Sequence, residues 1–173
     1  MSQSIAIEGL SDALAALDAL PDRITRMCVY EGVRIGAEAL AARARELAPV
    51  APPTTFNASR YGAVAGSLRA SVKVNPPTYS GDWVNCKVSA GSKIAYYARW
   101  VEFGTAAHQI KPRYRKALTV EGGYAEVINH PGAQAHPFMR PAVDSAGQIA
   151  VEKFTQFVHR RIEVDNLSET TSS

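Results

Sequence analysis

His108, His130 and His136, together with Glu102, are the side chains best suited to hold a metal, since imidazole and carboxylate are common zinc ligands. Their spacing argues against it. No HExxH or comparable pair puts two of them on one helical face. His130-Pro131-Gly132 reads as a turn, and Pro137 after His136 favours an extended approach into it. Nucleophilic catalysis has no firmer footing. The serines lie in ordinary turn or strand contexts, no GxSxG elbow occurs, and Cys28 and Cys86 stand far apart without a CxxC or other local signature. Gly122-Gly123 lacks both the Lys-Ser/Thr of a phosphate loop and dinucleotide-binding spacing. The sequence therefore names no catalytic residue, no metal ligand and no cofactor site, and an enzyme is not the expectation. Metal binding by the purified protein would revive a hydrolase.

Binding chemistry is better represented. The net charge of +3 conceals an asymmetry: residues 1–65 carry six Lys/Arg against seven Asp/Glu, residues 66–120 nine against two, and residues 121–173 four against seven. Clustered bases create a positive potential that suits DNA or an acidic protein surface. Because these bases are interleaved with strand residues, a solvated sheet face is the plainer alternative. Lys111, Arg113, Arg115 and Lys116 form a run with few apolar neighbours and should be exposed to a partner. Tyr96, Tyr97, Trp100, Phe103 and Tyr114 lie near Arg99 and that run, a composition found on nucleic-acid surfaces. Aromatics at helical spacing are nonetheless expected in a core.

The elements that must position these residues read as one α+β domain over 1–165, with a Pro-rich loop at about 49–66 and a flexible polar tail at 166–173. Apolar (46%) and charged (20%) fractions fit an ordinary globular chain. No apolar window approaches the roughly 20 residues of a membrane span, and the first residues lack a signal-peptide pattern, so assembly in the cytoplasm is expected. The cysteines are expected to be two small buried apolar side chains. Leu10, Leu14 and Leu17 recur at helical spacing with Ser11 as N-cap. A second helix runs from about Arg23 to Leu47, capped by Asp22, with Ile24, Cys28, Ile35, Leu40, Ala44 and Leu47 on one side. Gly32, Gly36 and the nearby alanines allow a close neighbour, either the domain's own sheet or another subunit. Strands are expected at Ser71–Val74 and Trp83–Ser89 as a meander, then at 117–120 and 126–129. Ile94–Phe103 suits a helix stopped by Gly104, and Pro141 to about Val164 suits a longer one. The two long helices should pack on a small, mainly antiparallel sheet.

Tyr97–Thr105 reads Y-A-R-W-V-E-F-G-T and Pro137–Ala142 reads P-F-M-R-P-A, each mixing large apolar residues with turn-forming Gly or Pro. Together with Gly9-Leu10, Leu47-Ala48-Pro49 and Gly66-Ser67-Leu68-Arg69-Ala70-Ser71, these segments resemble, in order, the motifs of the tail-completion (neck, head-tail joining) family of long-tailed bacteriophages. The resemblance runs from about Gly9 to Phe157, and the long Pro-rich stretch from Val50 to Ala65 departs from it. It implies a non-catalytic virion protein that assembles as a ring, a hexamer being the size in view, where tail meets head. The implied partners are further copies of the chain and the neighbouring tail-terminator, tail-tube or head-closure proteins, with DNA passing through the ring and no membrane involved. Trp100, Glu102, Phe103, Lys111, Arg113, Arg115, Lys116, Phe138 and Arg140 are the expected assembly residues. Glu102 and Arg140, each costly to bury alone, are expected to meet as an ion pair, within or between subunits. The alternative is a nucleic-acid-binding module using Lys111–Lys116.

Overall fold

The computed structural model describes residues 10–18, 22–51, 62–81, 83–112, 117–120 and 123–170. The fold is α+β. Helices α1 (Leu10–Asp18) and α2 (Asp22–Leu47) lead to a single helical turn, α3 (Ser67–Ala70). Strands β1 (Lys73–Val74), β2 (Thr78–Ser80), β3 (Trp83–Asn85) and β4 (Val88–Ser89) follow, then α4 (Ala98–Phe103). Next come β5 (His108–Ile110), β6 (Leu118–Val120), β7 (Gly123–Ala125) and β8 (Ile128–His130), before the long α5 (Met139–Thr170).

The central packing is helix on helix. Small residues of α2 (Gly32, Gly36, Ala37, Ala41, Ala44) are buried and face α5, which offers Ala142, Ala146 and Ala150. A Cβ at Gly36 would lie 2.9 Å from the Ala150 carbonyl oxygen, a backbone atom that cannot swing aside, and one at Gly32 would lie 2.8 Å from the Phe154 ring. Close approach therefore needs these glycines, despite a helical cost of about 1 kcal/mol each relative to alanine. The neighbour of this small-residue face is α5, and the expectation of a sheet there is corrected. Of the larger side chains expected inward on α2, Ile24, Ile35, Leu40 and Leu47 are only half-buried, because helices packed this closely leave room for bulk only along the flanks.

Two apolar clusters sit at opposite ends of the helix pair. Ala13, Leu17, Cys28 and Val158 join α1 to the end where α2 begins. Ala41, Ala44, Ala48, Leu68, Val72, Ala98, Phe138 and Ala142 join the end of α2 to the start of α5. The G-S-L-R-A-S segment locks into the second. Gly66 takes a left-handed conformation (φ 85°), Leu68 is buried, and the Ser71 hydroxyl donates to Leu68 O (2.6 Å) while accepting from Gly91 N–H (2.9 Å). Arg45 adds two donors to Val72 O, at 3.1 and 3.0 Å.

The expected meander is a bent hairpin of two antiparallel ladders, β1 with β4 and β2 with β3. Its alternation holds, with Val84, Cys86 and Val88 half-buried and Trp83, Asn85 and Lys87 exposed. Tyr79 ties it to α2 by donating to Arg26 O (2.7 Å). Cys28 is buried; Cys86 is only half-buried, with burial the main influence pushing its thiol above the ordinary value.

Several expected boundaries move. Ser11 lies inside α1 and contacts Asp12, so it is not the cap. Asp22 is the first residue of α2, its side chain outside the described residues. Most of the Pro-rich loop is also outside them. The second strand expected at 126–129 is resolved into β7 and β8, and Gly123, expected as a spacer, begins β7. β5 had no strand signal of its own; it exists by pairing with β8, His108 opposite His130 and Ile110 opposite Ile128. The backbone of α5 stays helical to Thr170, into the segment expected to be a tail.

Candidate assembly site at the start of the last helix

Helix α4 is 6 residues long and spends one face on the core: Ala98 and Glu102 are buried, Tyr97 and Val101 half-buried. Ser92 starts the turn before it by accepting from Ile94 and Ala95 N–H, at 3.2 and 3.0 Å. Glu102, 7% exposed, would be costly to bury alone. Its carboxylate is aimed at the beginning of α5. Oε2 accepts from Phe138 N–H (2.8 Å) and Met139 N–H (2.9 Å), and Oε1 from Arg140 N–H (3.2 Å).

A helix leaves its first four N–H groups without intrahelical partners. At α5, Glu102 takes three of them, and the fourth position is Pro141, which has no N–H. The ladder then begins with Ala142 N–H to Phe138 O at 3.2 Å. The cap residue itself, Phe138, is fully buried and apolar, so a side chain 36 residues upstream supplies the acceptor. A carboxylate there also suits the positive end of the helix dipole. Burial pulls the Glu102 pKa upward, but the N–H donors of Met139, Phe138 and Arg140, with the Arg140 charge, outweigh it and hold the group below its ordinary 4.5.

Within one chain Glu102 and Arg140 do not form the expected ion pair. Both carboxylate oxygens are engaged by backbone, and the Arg140 guanidinium lies over the Phe103 ring, 5.1 Å from its centroid. The ion pairs among the described residues, Glu31–Arg34, Arg43–Glu46 and Glu38–Arg45, all lie within α2.

Two further straps close the corner. Gly104 (φ 68°) and Gly132 (φ 90°) sit where backbone meets backbone. A Cβ on Gly104 would come within 2.6 Å of Ala133 O, and one on Gly132 would collide with Thr105 O. Between them Thr105 and Ala133 exchange backbone hydrogen bonds (2.9 and 3.1 Å), and His136 N–H reaches Val101 O at 2.8 Å. Glycine is required at both positions by the positive φ and by the close approach.

Of the aromatic residues expected in the core, Tyr97 packs half-buried against it, Tyr96, Trp100 and Phe103 are outside it, and Tyr114 lies outside the described residues. Trp100 is 51% exposed and Phe103 58%, with Tyr96 edge-on to Trp100 at 5.6 Å. So short a helix has one inward stripe, filled by Ala98 and Glu102 with Val101 beside them, and Arg99, Trp100 and Phe103 face out. Beside them lies an open cleft of about 360 Å³, lined by Val88, Ser89, Arg99, Phe103, Met139 and Arg140. With Glu102 saturated by hydrogen bonds, this surface offers apolar and aromatic faces and two guanidinium groups. Such a surface suits binding.

A family model described as "Bacteriophage HK97-gp10, putative tail-component" matches residues 11–104. The chain belongs to this family. No match was found among curated proteins or among solved structures. As a phage tail component the protein is a part of the virion. Among the described residues no helix is long and apolar enough to cross a membrane. The matched stretch of the tail component includes the G-S-L-R-A-S segment and Tyr97–Gly104, and ends before the P-F-M-R-P-A segment that Glu102 caps.

Of the residues expected at an assembly site, the tail component brings Trp100, Glu102, Phe103, Phe138 and Arg140 into one corner. Glu102 and Phe138 are its interior, while Trp100, Phe103 and Arg140 are its surface. Lys111 is exposed beyond β5, away from the cleft lining. Arg113, Arg115 and Lys116 lie outside the described residues. No three His, Cys, Asp or Glu side chains among the described residues are grouped to hold a metal; His108 and His130 stack across the β5–β8 ladder at 5.1 Å. Sequence reasoning missed Arg45, Ser71, Thr105 and the close approach at Gly132. Ser71 and Thr105 stood inside motifs and Gly132 in a His-Pro-Gly turn, but their partners Gly91, Ala133 and Thr105 lie too far along the chain for those signals to reveal.

Proposed function

We propose that this tail component is a structural, non-catalytic protein that completes the tail and helps join it to the head, acting as a ring of identical copies. The observation that carries this reading is the use made of its motif residues. Glu102, Gly104, Gly132 and Pro141 are committed to closing one corner of the fold, and the same segments turn Trp100, Phe103 and Arg140 outward beside an open cleft. Such a rigid corner with an aromatic and arginine-bearing face suits protein contact, where these side chains are enriched. Identical neighbours around an axis use heterologous interfaces that close, which favours a ring, and a hexamer is the size proposed. Tail-terminator, tail-tube or head-closure proteins would be the adjoining layers, with assembly in the host cytoplasm.

The test is electron microscopy of lysates from the parent phage with this gene disabled. Separate filled heads and tails, with infectivity restored by adding purified protein, are expected; normally joined particles would overturn the joining role. A second reading, binding of nucleic acid through the middle of the chain, is favoured by one observation. Lys73, Lys87, Lys93, Arg99 and Lys111 are exposed, and none of them is in an ion pair among the described residues. Steeply salt-dependent duplex binding by a protein that forms no ring would support it.

A further inference from the structure

Between Thr105 and Ala133 the chain leaves the body as a two-stranded arm, with β5–β8 at its base and β6–β7 beyond. No described residue of the arm is buried, and neither ladder makes an extensive contact with any helix. A lone two-stranded ladder is only marginally stable in water, so contacts at the foot of the arm matter for its attachment. There His108 and His130 stand directly opposite one another, their rings stacked with centroids 5.1 Å apart. Each ring also holds backbone two residues away. His108 Nδ1 lies 2.9 Å from Ala106 O, and His130 Nδ1 lies 3.0 Å from Gly132 N. Those two backbone segments press on each other, since a Cβ on Gly132 would lie 2.9 Å from Ala106 C and 3.1 Å from Ala106 O.

The partners fix the protons. A carbonyl can only accept, so Nδ1 of His108 carries a hydrogen. A backbone N–H can only donate, so Nδ1 of His130 is a lone pair and, in the neutral ring, the hydrogen is on Nε2. The two histidines therefore respond differently to acid. His108 can take a second proton on Nε2 and still donate to Ala106 O. His130 can take one only on Nδ1, where it would confront the Gly132 N–H, break that hydrogen bond and set two imidazolium rings against each other. The other opposed polar pair of the ladder, Gln109 and Asn129, is uncharged and bonded at 3.1 Å. Lys111 and Glu126, the charged residues of the described arm, are exposed and lie outside β5 and β8. Glu102, at the root, is turned to the N–H groups of α5. No ion pair among the described residues includes either histidine.

We infer that this histidine pair is a pH-sensitive latch: the foot of the arm is held closed while His130 is neutral and is released when His130 is protonated. The latch does not depend on the ring reading. The closed foot accommodates one proton on the pair and the open foot two, so closure is complete above the ordinary imidazole range and weakens as pH falls through it. For one ordinary imidazole, the opening equilibrium rises about tenfold between about pH 7.5 and about pH 5.5. Glu102 stays charged throughout that window, because its pKa is held below the ordinary 4.5, so the helix cap is not what gives way.

The test is amide hydrogen exchange in the purified protein over that window, expressed as protection relative to an unstructured chain at the same pH. Protection at Gly132 and along β5–β8 should fall about tenfold on acidification, while that of α2 and α5 stays level. Level protection at the foot, or an equal fall in the two helices, would overturn the latch. His130→Asn places at the same position a side-chain oxygen that accepts from the N–H two residues on and does not titrate. It should abolish the fall, and a fall that persists in it would overturn the proposal. His136→Asn should leave the fall unchanged; its loss there would assign the effect to another histidine and overturn the latch. Should His130→Asn fail to fold, nitrogen NMR of the original protein's imidazoles at about pH 7.5 decides. Nδ1 protonated in His108 and unprotonated in His130 is expected, and the same tautomer in both rings would overturn the latch.

Discussion

From Phe103 to Pro137 no described residue is buried, whereas the residues immediately before and after that stretch meet around a carboxylate that is 7% exposed. The arm and the corner that roots it are thus built on opposite principles. In the corner backbone groups are held by specific partners: three N–H groups on Glu102, Thr105 on Ala133, His136 on Val101. In the arm, backbone pairing is present but no described side chain is buried. The difference separates what holds the fold from what is available to a neighbour. Stability should reside in the corner and be nearly indifferent to the arm's side chains.

The most damaging substitution should be Glu102→Ala. It strands three N–H groups at a largely buried helix start and removes the charge that suits the dipole, a loss of about 3–5 kcal/mol given 1–3 kcal/mol for each unsatisfied buried group with partial rescue by water. Chemical denaturation should show it, and an effect below about 1 kcal/mol would mean the cap is not what fixes α5. Glu102→Gln should cost less, because one oxygen remains to accept, and it should also change the response to acid. The folded pKa lies below the ordinary 4.5, so the carboxylate's stabilisation is complete above that value and is lost as pH falls through the folded pKa. The stability of the original protein should therefore drop below about pH 4.5, and Glu102→Gln should flatten that part of the curve. A variant with an unchanged acid limb would assign the drop to other carboxylates.

Backbone contacts come next. Gly132→Ala places a methyl group on Thr105 O and asks for a left-handed conformation that alanine resists, and Gly36→Ala pushes against the Ala150 carbonyl. Each should cost about 1–3 kcal/mol. They should differ in kind. Gly36→Ala loosens the helix pair, detectable by faster hydrogen exchange along α2 and α5, whereas Gly132→Ala frees the foot of the arm and leaves α2 protected. If both variants gave one exchange pattern, corner and helix pair would be a single cooperative unit.

Helical periodicity and small-residue content gave away α2 and α5, because those signals are local to about four residues. Glu102 and Phe138 were also legible as unusual residues, one charged and one apolar at a motif's centre. Their relation within one chain was misread, since a charge in an apolar setting invites an opposite charge, and the alternative set of donors, the free N–H groups of a helix start with its own proline, is visible only once α5 is known to begin at Met139. The strand β5 was not legible because its three residues have no alternation to detect and depend on β8 for their existence. Trp100 and Phe103 were expected inside for the same reason that periodicity usually succeeds. A helix of 6 residues has too little inner face to bury them.

Smaller effects sharpen the contrast. Arg140→Leu removes the guanidinium from the exposed Phe103 ring while keeping the backbone N–H that Glu102 holds. A loss of at most about 1 kcal/mol is expected, the range for an exposed cation–π contact. Thermal melts that fall as far as those of Glu102→Ala would restore the ion-pair explanation in place of the cap.

The least effect on stability should come from the arm. Val127→Ser exchanges an exposed apolar side chain for a small polar one at a position with no core beneath it. Surface changes of this kind stay within about 0.5 kcal/mol. Its denaturation curve should superpose on that of the original chain even as the arm's apolar surface is diminished. Were Val127→Ser to unfold the corner, the arm would be a stabilising part of the body, and the separation of fold-holding from partner-seeking residues would fail at the place where it is sharpest. A superposed curve combined with weaker assembly would instead show that Val127 serves contact with a neighbour and not the stability of the chain's own fold.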